Sequence, residues 1–223
     1  MSRRAADWKE QVGLDKAYDV KGPDDNRELY AEWAETYESG FVVDSRYVYP
    51  RQVAEVFCDG FDQPVQPVLD VGCGTGIIGT ELARLGVLVI DGIDLSPEML
   101  SEAKAKTHDG RPLYRQLLEA DLTRPTELAD GAYAGIVSAG TFTHGILGPE
   151  AIVELLRVAS PGARFALGIN SAHFEEFAFA DWLGQRQSEG RITGLKYERR
   201  PMYEDADEAD PDQWTQVAVF AAA

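Results

Sequence analysis

The chain has 223 residues and only two cysteines, which is room for one α/β core and little for two ordinary domains or a disulfide framework. It shows neither an apolar run of membrane-spanning length nor a basic-then-apolar leader, so a soluble, cytoplasmic protein without a membrane partner is expected. Its formal net charge of -17 repels polyanions, which disfavours nucleic acid as a substrate.

Residues 1–60 read as an N-terminal helical arm and lid, and residues 61–223 as the core. A helix-like stretch over 7–18 ends at Gly22-Pro23-Asp24-Asp25, a turn composition. Over 26–37, Leu29, Tyr30, Trp33 and Tyr37 recur at helical spacing, which places the aromatics on one face. A helix over 50–57 and a linker over 60–67 lead into the core.

From residue 67 the pattern alternates between strand and helix. Strands are predicted over 67–71, 87–93, 114–120, 134–139 and 164–169, with helices over 76–85, 97–106 and 149–159 and a short turn or helix over 125–128. This order requires right-handed crossovers and a mostly parallel sheet covered on both faces. The tail adds a helix over 174–187 and two strand-like runs, 192–203 and 213–220, joined by an acidic segment. With no helix between them, the two runs read as an antiparallel hairpin at the sheet edge.

The first strand runs straight into Gly72-Cys73-Gly74-Thr75-Gly76 and then a helix. A strand, a tight glycine turn and a helix N-terminus form the place where an α/β sheet receives a nucleoside-bearing cofactor. A dinucleotide fingerprint needs its third glycine at the sixth place, which is Ile77 here, and no Gly-Lys-Ser/Thr follows for a phosphate loop. Asp94 ends the second strand, 22 residues beyond Gly72, where a carboxylate can accept from both ribose hydroxyls of an adenosine. Asp121 and Leu122 close the third strand, offering an acceptor for an adenine amino group and an apolar contact for its ring. All three features fall at carboxyl ends of successive strands, the binding rim of such sheets.

No histidine pair or Cys/His cluster has metal-ligand spacing, no Gly-x-Ser-x-Gly elbow occurs, and no metal is expected. Of the histidines, His144 follows the fourth strand closely and is the candidate catalytic base. His108 reads as a cap at a helix end. His173 either lines the acceptor pocket or starts a helix.

These residues resemble the class I S-adenosylmethionine-dependent methyltransferases. The resemblance rests on Val68-Leu-Asp-Val-Gly-Cys-Gly-Thr-Gly76, Ile93-Asp94-Leu95-Ser96 and Ala120-Asp121-Leu122. It implies a Rossmann-like three-layer sandwich with an N-terminal helical lid. Its sheet would have seven mostly parallel strands, the last inserted antiparallel. It also implies S-adenosyl-L-methionine as cofactor. Asp70 and the backbone of Gly72 and Gly74 would border the methionine part, Asp94 the ribose, and Leu95, Met99, Asp121 and Leu122 the adenine, with Gly76 also a cofactor-binding residue.

A narrower similarity lies in Leu29-Tyr30-Ala-Glu-Trp33-Ala-Glu-Thr-Tyr37-Glu38 and Ser138-Ala139-Gly140-Thr-Phe142-Thr-His144-Gly145, which resemble the Williams–Beuren-region methyltransferase-like group. It implies that Tyr37 and Ser138 lie near the cofactor. The chain departs from that group at Tyr133-Ala134-Gly135, which stands in place of an aromatic followed by an acid.

The resemblance implies methyl transfer to an O, N or S nucleophile of a small molecule by in-line displacement. The Asn/Asp-Pro-Pro-Tyr type of tetrad of base- and amide-modifying relatives is absent after the fourth strand. Two other readings stay open: a non-catalytic module that binds the same cofactor, and an NAD-dependent oxidoreductase. The acceptor's identity and the oligomeric state are not encoded in any motif.

Overall fold

The computed structural model describes Ala34 and residues 37–60, 63–143 and 147–223. The expected helix over 7–18, Tyr30, Trp33 and His144 lie outside the described residues. Among the described residues no helix is long and apolar enough to cross a membrane.

A π-helical turn, Glu38–Val42, comes first and buries Phe41. Helix α1 (Tyr49–Cys58) carries Pro50 in its first turn, where a missing N–H costs little, and buries Tyr49, Val53, Ala54, Val56 and Phe57. It packs directly on the sheet. A Cβ on Gly135 would stand 2.4 Å from the Phe57 ring, and one on Gly168 2.6 Å from the Tyr49 hydroxyl. The ring of Phe57 therefore excludes a side chain at 135, which accounts for a glycine in the Tyr133-Ala134-Gly135 departure.

Strand β1 (Val68–Val71) is buried at every position, as a central parallel strand with two covered faces must be. Helix α2 (Ile77–Arg84), strand β2 (Ile90–Asp94) and helix α3 (Pro97–Ala105) follow. The Ser96 hydroxyl caps α3 by accepting from the Met99 amide at 3.2 Å. Next comes a small hairpin, β3 (Thr107–His108) with β4 (Arg111–Pro112). It corrects the expectation of a helix-end cap at His108. The cause is legible: Asp109 and Gly110 both have positive φ, 50° and 73°, the geometry of a two-residue turn whose twist suits a hairpin.

Strand β5 (Gln116–Glu119) leads through a loop to β6 (Tyr133–Phe142), helix α4 (Ala151–Val158) and β7 (Ala159–Asn170). Residues 125–128 form loop, not helix. The single helix expected over 174–187 is two, α5 (Ser171–Glu176) and α6 (Phe179–Ser188), broken at Ala178 with φ 50°. Phe174 and Phe179 are both buried. Five residues apart, they cannot share one face of a continuous helix, and the break lets both rings reach the core.

Strands β8 (Ile192–Pro201) and β9 (Trp214–Ala222) complete a seven-stranded sheet of order β5-β2-β1-β6-β7-β9-β8. The pairs among β5, β2, β1, β6 and β7 are parallel. β9 is antiparallel to both β7 and β8 and lies between them. The final strand is thus inserted and β8 takes the edge. Residues from α1, α2 and α3 pack on one face of the sheet and residues from α4, α5 and α6 on the other, which gives three layers. The resulting fold is a Rossmann-like α/β sandwich.

Candidate active site

The carboxyl rim of the sheet is assembled by backbone bonds. The Cys73 amide donates to the Ile93 carbonyl at 3.0 Å, and the Ala120 amide donates to the Asp94 carbonyl at 2.9 Å. These bonds bring the glycine turn, the end of β2 and the end of β5 side by side. The three motif features expected from the chain therefore lie on one rim.

Each glycine of the turn is left-handed, with φ of 64° at Gly72, 52° at Gly74 and 90° at Gly76, a region that suits glycine. Their surroundings differ. A Cβ on Gly72 would lie 1.9 Å from Thr141 Oγ1, and one on Gly76 2.9 Å from the Tyr114 ring, whereas one on Gly74 meets nothing within 4 Å. Gly74 is thus the open cradle of the turn, and the outer two are seats for neighbouring side chains. Thr141 is held there by donating to the Val71 carbonyl at 3.0 Å.

Asp94 grips this cradle. Its Oδ2 accepts from the Gly74 amide at 2.8 Å and its Oδ1 from the Ser96 amide at 2.9 Å. Burial raises its pKa, while the amides of Ser96, Gly74 and Leu95 oppose that shift by stabilising the charge. A carboxylate has about four lone-pair sites, so these two bonds leave acceptor capacity for sugar hydroxyls.

The other expected residues fall into distinct environments. Met99 is buried and Leu95 half-buried at the start of α3. Leu122 is buried in the core, and Asp121 is half-buried beside it. Burial alone would raise the Asp121 pKa, but the Thr123 hydroxyl and amide together with Arg124 lower it overall. Its Oδ1 accepts from Thr123, and its Oδ2 lies 3.6 Å from Arg124.

Ser138 is fully buried and donates to the Val71 carbonyl at 2.8 Å. Its hydroxyl ties β6 to the last residue of β1. Asp70, expected to border the methionine part of the cofactor, lies one residue before the end of β1. Strand alternation turns it into the layer beneath α2, where it is fully buried and accepts from the Tyr114 hydroxyl at 2.7 Å. Burial pushes its pKa up to about 7; the Tyr114 bond and the Gly79 amide oppose that shift, and Asp94 adds to it.

Tyr37 stands at the edge of an aromatic cluster, 5.2 Å from the Phe41 ring, which continues to Tyr47 at 5.0 Å and from there to Tyr203 at 5.6 Å. The next residue, Glu38, pairs with Lys106 at 2.6 Å and accepts from the Thr75 hydroxyl. This contact fastens the N-terminal segment to the glycine turn. His173 lies in the first turn of α5 with its Nε2 2.9 Å from the Leu147 carbonyl and its ring 4.3 Å from Phe177. Burial lowers its pKa. The Cys73 thiol is pushed up by burial and by Asp70 and Asp94, which makes it an unreactive packing group. Among the described residues no three His, Cys, Asp or Glu side chains gather as a metal site requires.

Sequence reasoning missed Tyr114, Thr141 and Glu38. For Tyr114 no local signal exists, because β5 pairing with β2 carries it under the turn. Thr141 was within reach, since it lies inside the quoted motif after the fourth strand.

The arrangement disfavours a diphosphate. The Gly74 amide is already engaged by the Asp94 carboxylate, which puts negative charge where a diphosphate would need a donor. A nucleoside carrying positive charge fits this donor set.

Comparison with known proteins agrees. Residues 68–162 match the methyltransferase domain family. Methyltransferase-like protein 27 from Homo sapiens is 31% identical over 142 residues, covering 62% of this chain and 55% of that protein. A ribosomal protein L11 methyltransferase from Thiobacillus denitrificans is 32% identical over 140 residues, covering 59% of this chain and 44% of the relative. The chain thus spans about half the length of the curated relatives it matches. The N-methyltransferase NodS of Bradyrhizobium japonicum, solved with S-adenosyl-L-homocysteine, shares the fold with a TM-score of 0.59 at 17% identity, over 87% of this chain and 97% of that one.

Proposed function

We infer that this chain is a class I S-adenosylmethionine-dependent methyltransferase that transfers a methyl group to an O, N or S nucleophile of a small molecule, a reading supported by its fold and by its domain match over residues 68–162. The observation that carries the reading is Asp94 seated 2.8 Å from the Gly74 amide at the open point of the turn.

When bound, the cofactor supplies a methyl group on a sulfonium. The chain's residues hold it and keep water away. Asp94 would accept the ribose hydroxyls, the Gly74 backbone would pass close to the sugar and methionine portion, and Leu95, Met99 and Leu122 would flank the adenine, with the second oxygen of Asp121 towards its amino group. Tyr37 and its aromatic neighbours supply π faces suited to a cation. Displacement at a methyl carbon mainly needs alignment in a water-poor pocket. His144, outside the described residues, is the proposed base for an acceptor that must lose a proton.

The small-molecule acceptor is supported by the acidic surface, which repels polyanions, and by the missing Pro-Pro-Tyr tetrad. An acidic surface does not repel a basic protein, and one relative is named for a ribosomal protein. The assay therefore covers both. Purified protein should bind S-adenosylmethionine and S-adenosylhomocysteine but not NAD in calorimetry, and Asp94→Ala should weaken binding by about 1–3 kcal/mol. Labelled methyl donor should mark a metabolite fraction and not a protein fraction. Unchanged affinity in folded Asp94→Ala removes Asp94 from the site, and cofactor binding with no labelling in either fraction makes the chain a binding module.

A further inference from the structure

Beneath the glycine turn the Tyr114 ring fills a slot that only glycines permit. An added Cβ would stand 2.9 Å from the ring at Gly76 and 2.3 Å from the hydroxyl at Gly79, whereas at Gly92 Leu117 at 2.7 Å and Cys73 at 2.8 Å come closer than the ring at 3.1 Å. Two elements, the turn and α2, thus give up side chains around one tyrosine. Core packing by itself asks for a ring here. It does not ask for a buried hydroxyl, which costs free energy unless it is bonded.

That hydroxyl donates to Asp70 Oδ2 at 2.7 Å. Asp70 is fully buried, and its Oδ1 has no hydrogen-bond partner among the described residues. The groups facing this carboxylate come from every neighbouring element. The Tyr114 hydroxyl and the Gly79 amide of α2 favour its charged form, and Asp94 at the end of β2 opposes it. The Cys73 thiol in the turn stays protonated. Outside the turn Lys106 is paired with Glu38, so it adds little net positive charge. The carboxylate is therefore balanced between its two forms, and one hydroxyl is a main weight on the charged side.

On the reading that the turn holds S-adenosylmethionine, we propose that Tyr114 is a positioning residue of the cofactor site. Its hydroxyl keeps Asp70 ionised beneath the turn, so that a cationic ligand meets a negative floor. The residue acts through Asp70 and touches neither the cofactor nor the acceptor. Ligand charge favours the ionised carboxylate, and by linkage ionisation favours the ligand.

Tyr114→Phe keeps the ring and deletes only the oxygen. Losing that bond moves the Asp70 titration upward, so the variant should be mostly protonated there at pH 7. Calorimetry with S-adenosylmethionine, expressed at each pH as a ratio to wild type, cancels the cofactor's own amine titration. The variant should bind about five- to tenfold more weakly at pH 7 and recover to within about twofold at pH 9. S-adenosylhomocysteine, which lacks the sulfonium charge, should lose less. In an Asp70→Asn background the same Tyr114→Phe change should have no further effect.

A ratio that is flat with pH, or an equal loss in the Asp70→Asn background, overturns the proposal and leaves Tyr114 as packing. Wild-type protein that does not bind S-adenosylmethionine at all overturns the function above as well. If Tyr114→Phe does not fold, the unmodified protein decides the matter. Titration in buffers of different ionisation enthalpy should show proton release near pH 7 that is lost in Asp70→Asn, and equal release in both proteins refutes the role.

Discussion

At the scale of single residues, the three glycines of the turn do different work although all are left-handed. At Gly72 the space for a side chain is filled by Thr141, with a hypothetical Cβ only 1.9 Å from its oxygen. At Gly74 the space is open. Gly72→Ala should therefore lower unfolding free energy by about 1–3 kcal/mol through displacement of Thr141 and backbone strain, as measured by chemical denaturation. Gly74→Ala adds a methyl where the cofactor is proposed to lie. It should lose only about 1–2 kcal/mol of stability from its φ of 52°, yet bind S-adenosylmethionine at least about tenfold more weakly. Equal binding by folded Gly74→Ala would place the ligand elsewhere. The glycines, Asp94 and the Asp121-Leu122 pair were legible because turn chemistry and strand ends are local. The full burial of Asp70 and Ser138 was not, because it depends on what covers each face of the sheet.

Among elements, the loop between β5 and β6 shows how the rim is braced from outside. Glu154 of α4 accepts from both the amide and the hydroxyl of Thr126 at 2.7 Å and pairs with Arg157 at 2.6 Å. Arg157 in turn donates to the Leu128 carbonyl at 2.8 Å and pairs with Asp130. This helix therefore pins the loop that carries Asp121 and Leu122. The Arg157 bond above all, then Thr126 against the opposing effect of burial, holds the Glu154 carboxyl at about 2. Because that pKa is depressed, the stabilisation is complete above the unfolded value of about 4.3 and is lost as pH falls from there through 2. Glu154→Gln should cost about 1–3 kcal/mol at neutral pH, and its unfolding midpoint should vary less than wild type between about pH 5 and pH 2. Parallel curves for the two proteins over that interval would show that the network does not bear on stability. The bracing was invisible in sequence, since its partners lie in separate elements with no shared periodicity.

For the whole molecule, the charge of -17 predicts weak encounter with any polyanion. A structured RNA should show no retardation with the protein in about 0.15 M salt, and a stable complex would require a basic site of its own. The amino-acid sequence by itself determined the alternation of strand and helix, the glycine turn at the end of β1 and the carboxylate at the end of β2. Each of these is set by period, turn residues and caps within a few positions. Only the tertiary structure decided that Phe57 stands against Gly135, that the helix after β7 breaks at Ala178 to bury two phenylalanines, and that Tyr114 reaches under the turn to Asp70. Those contacts join residues far apart in the chain, and close packing of whole layers, not any local preference, selects them.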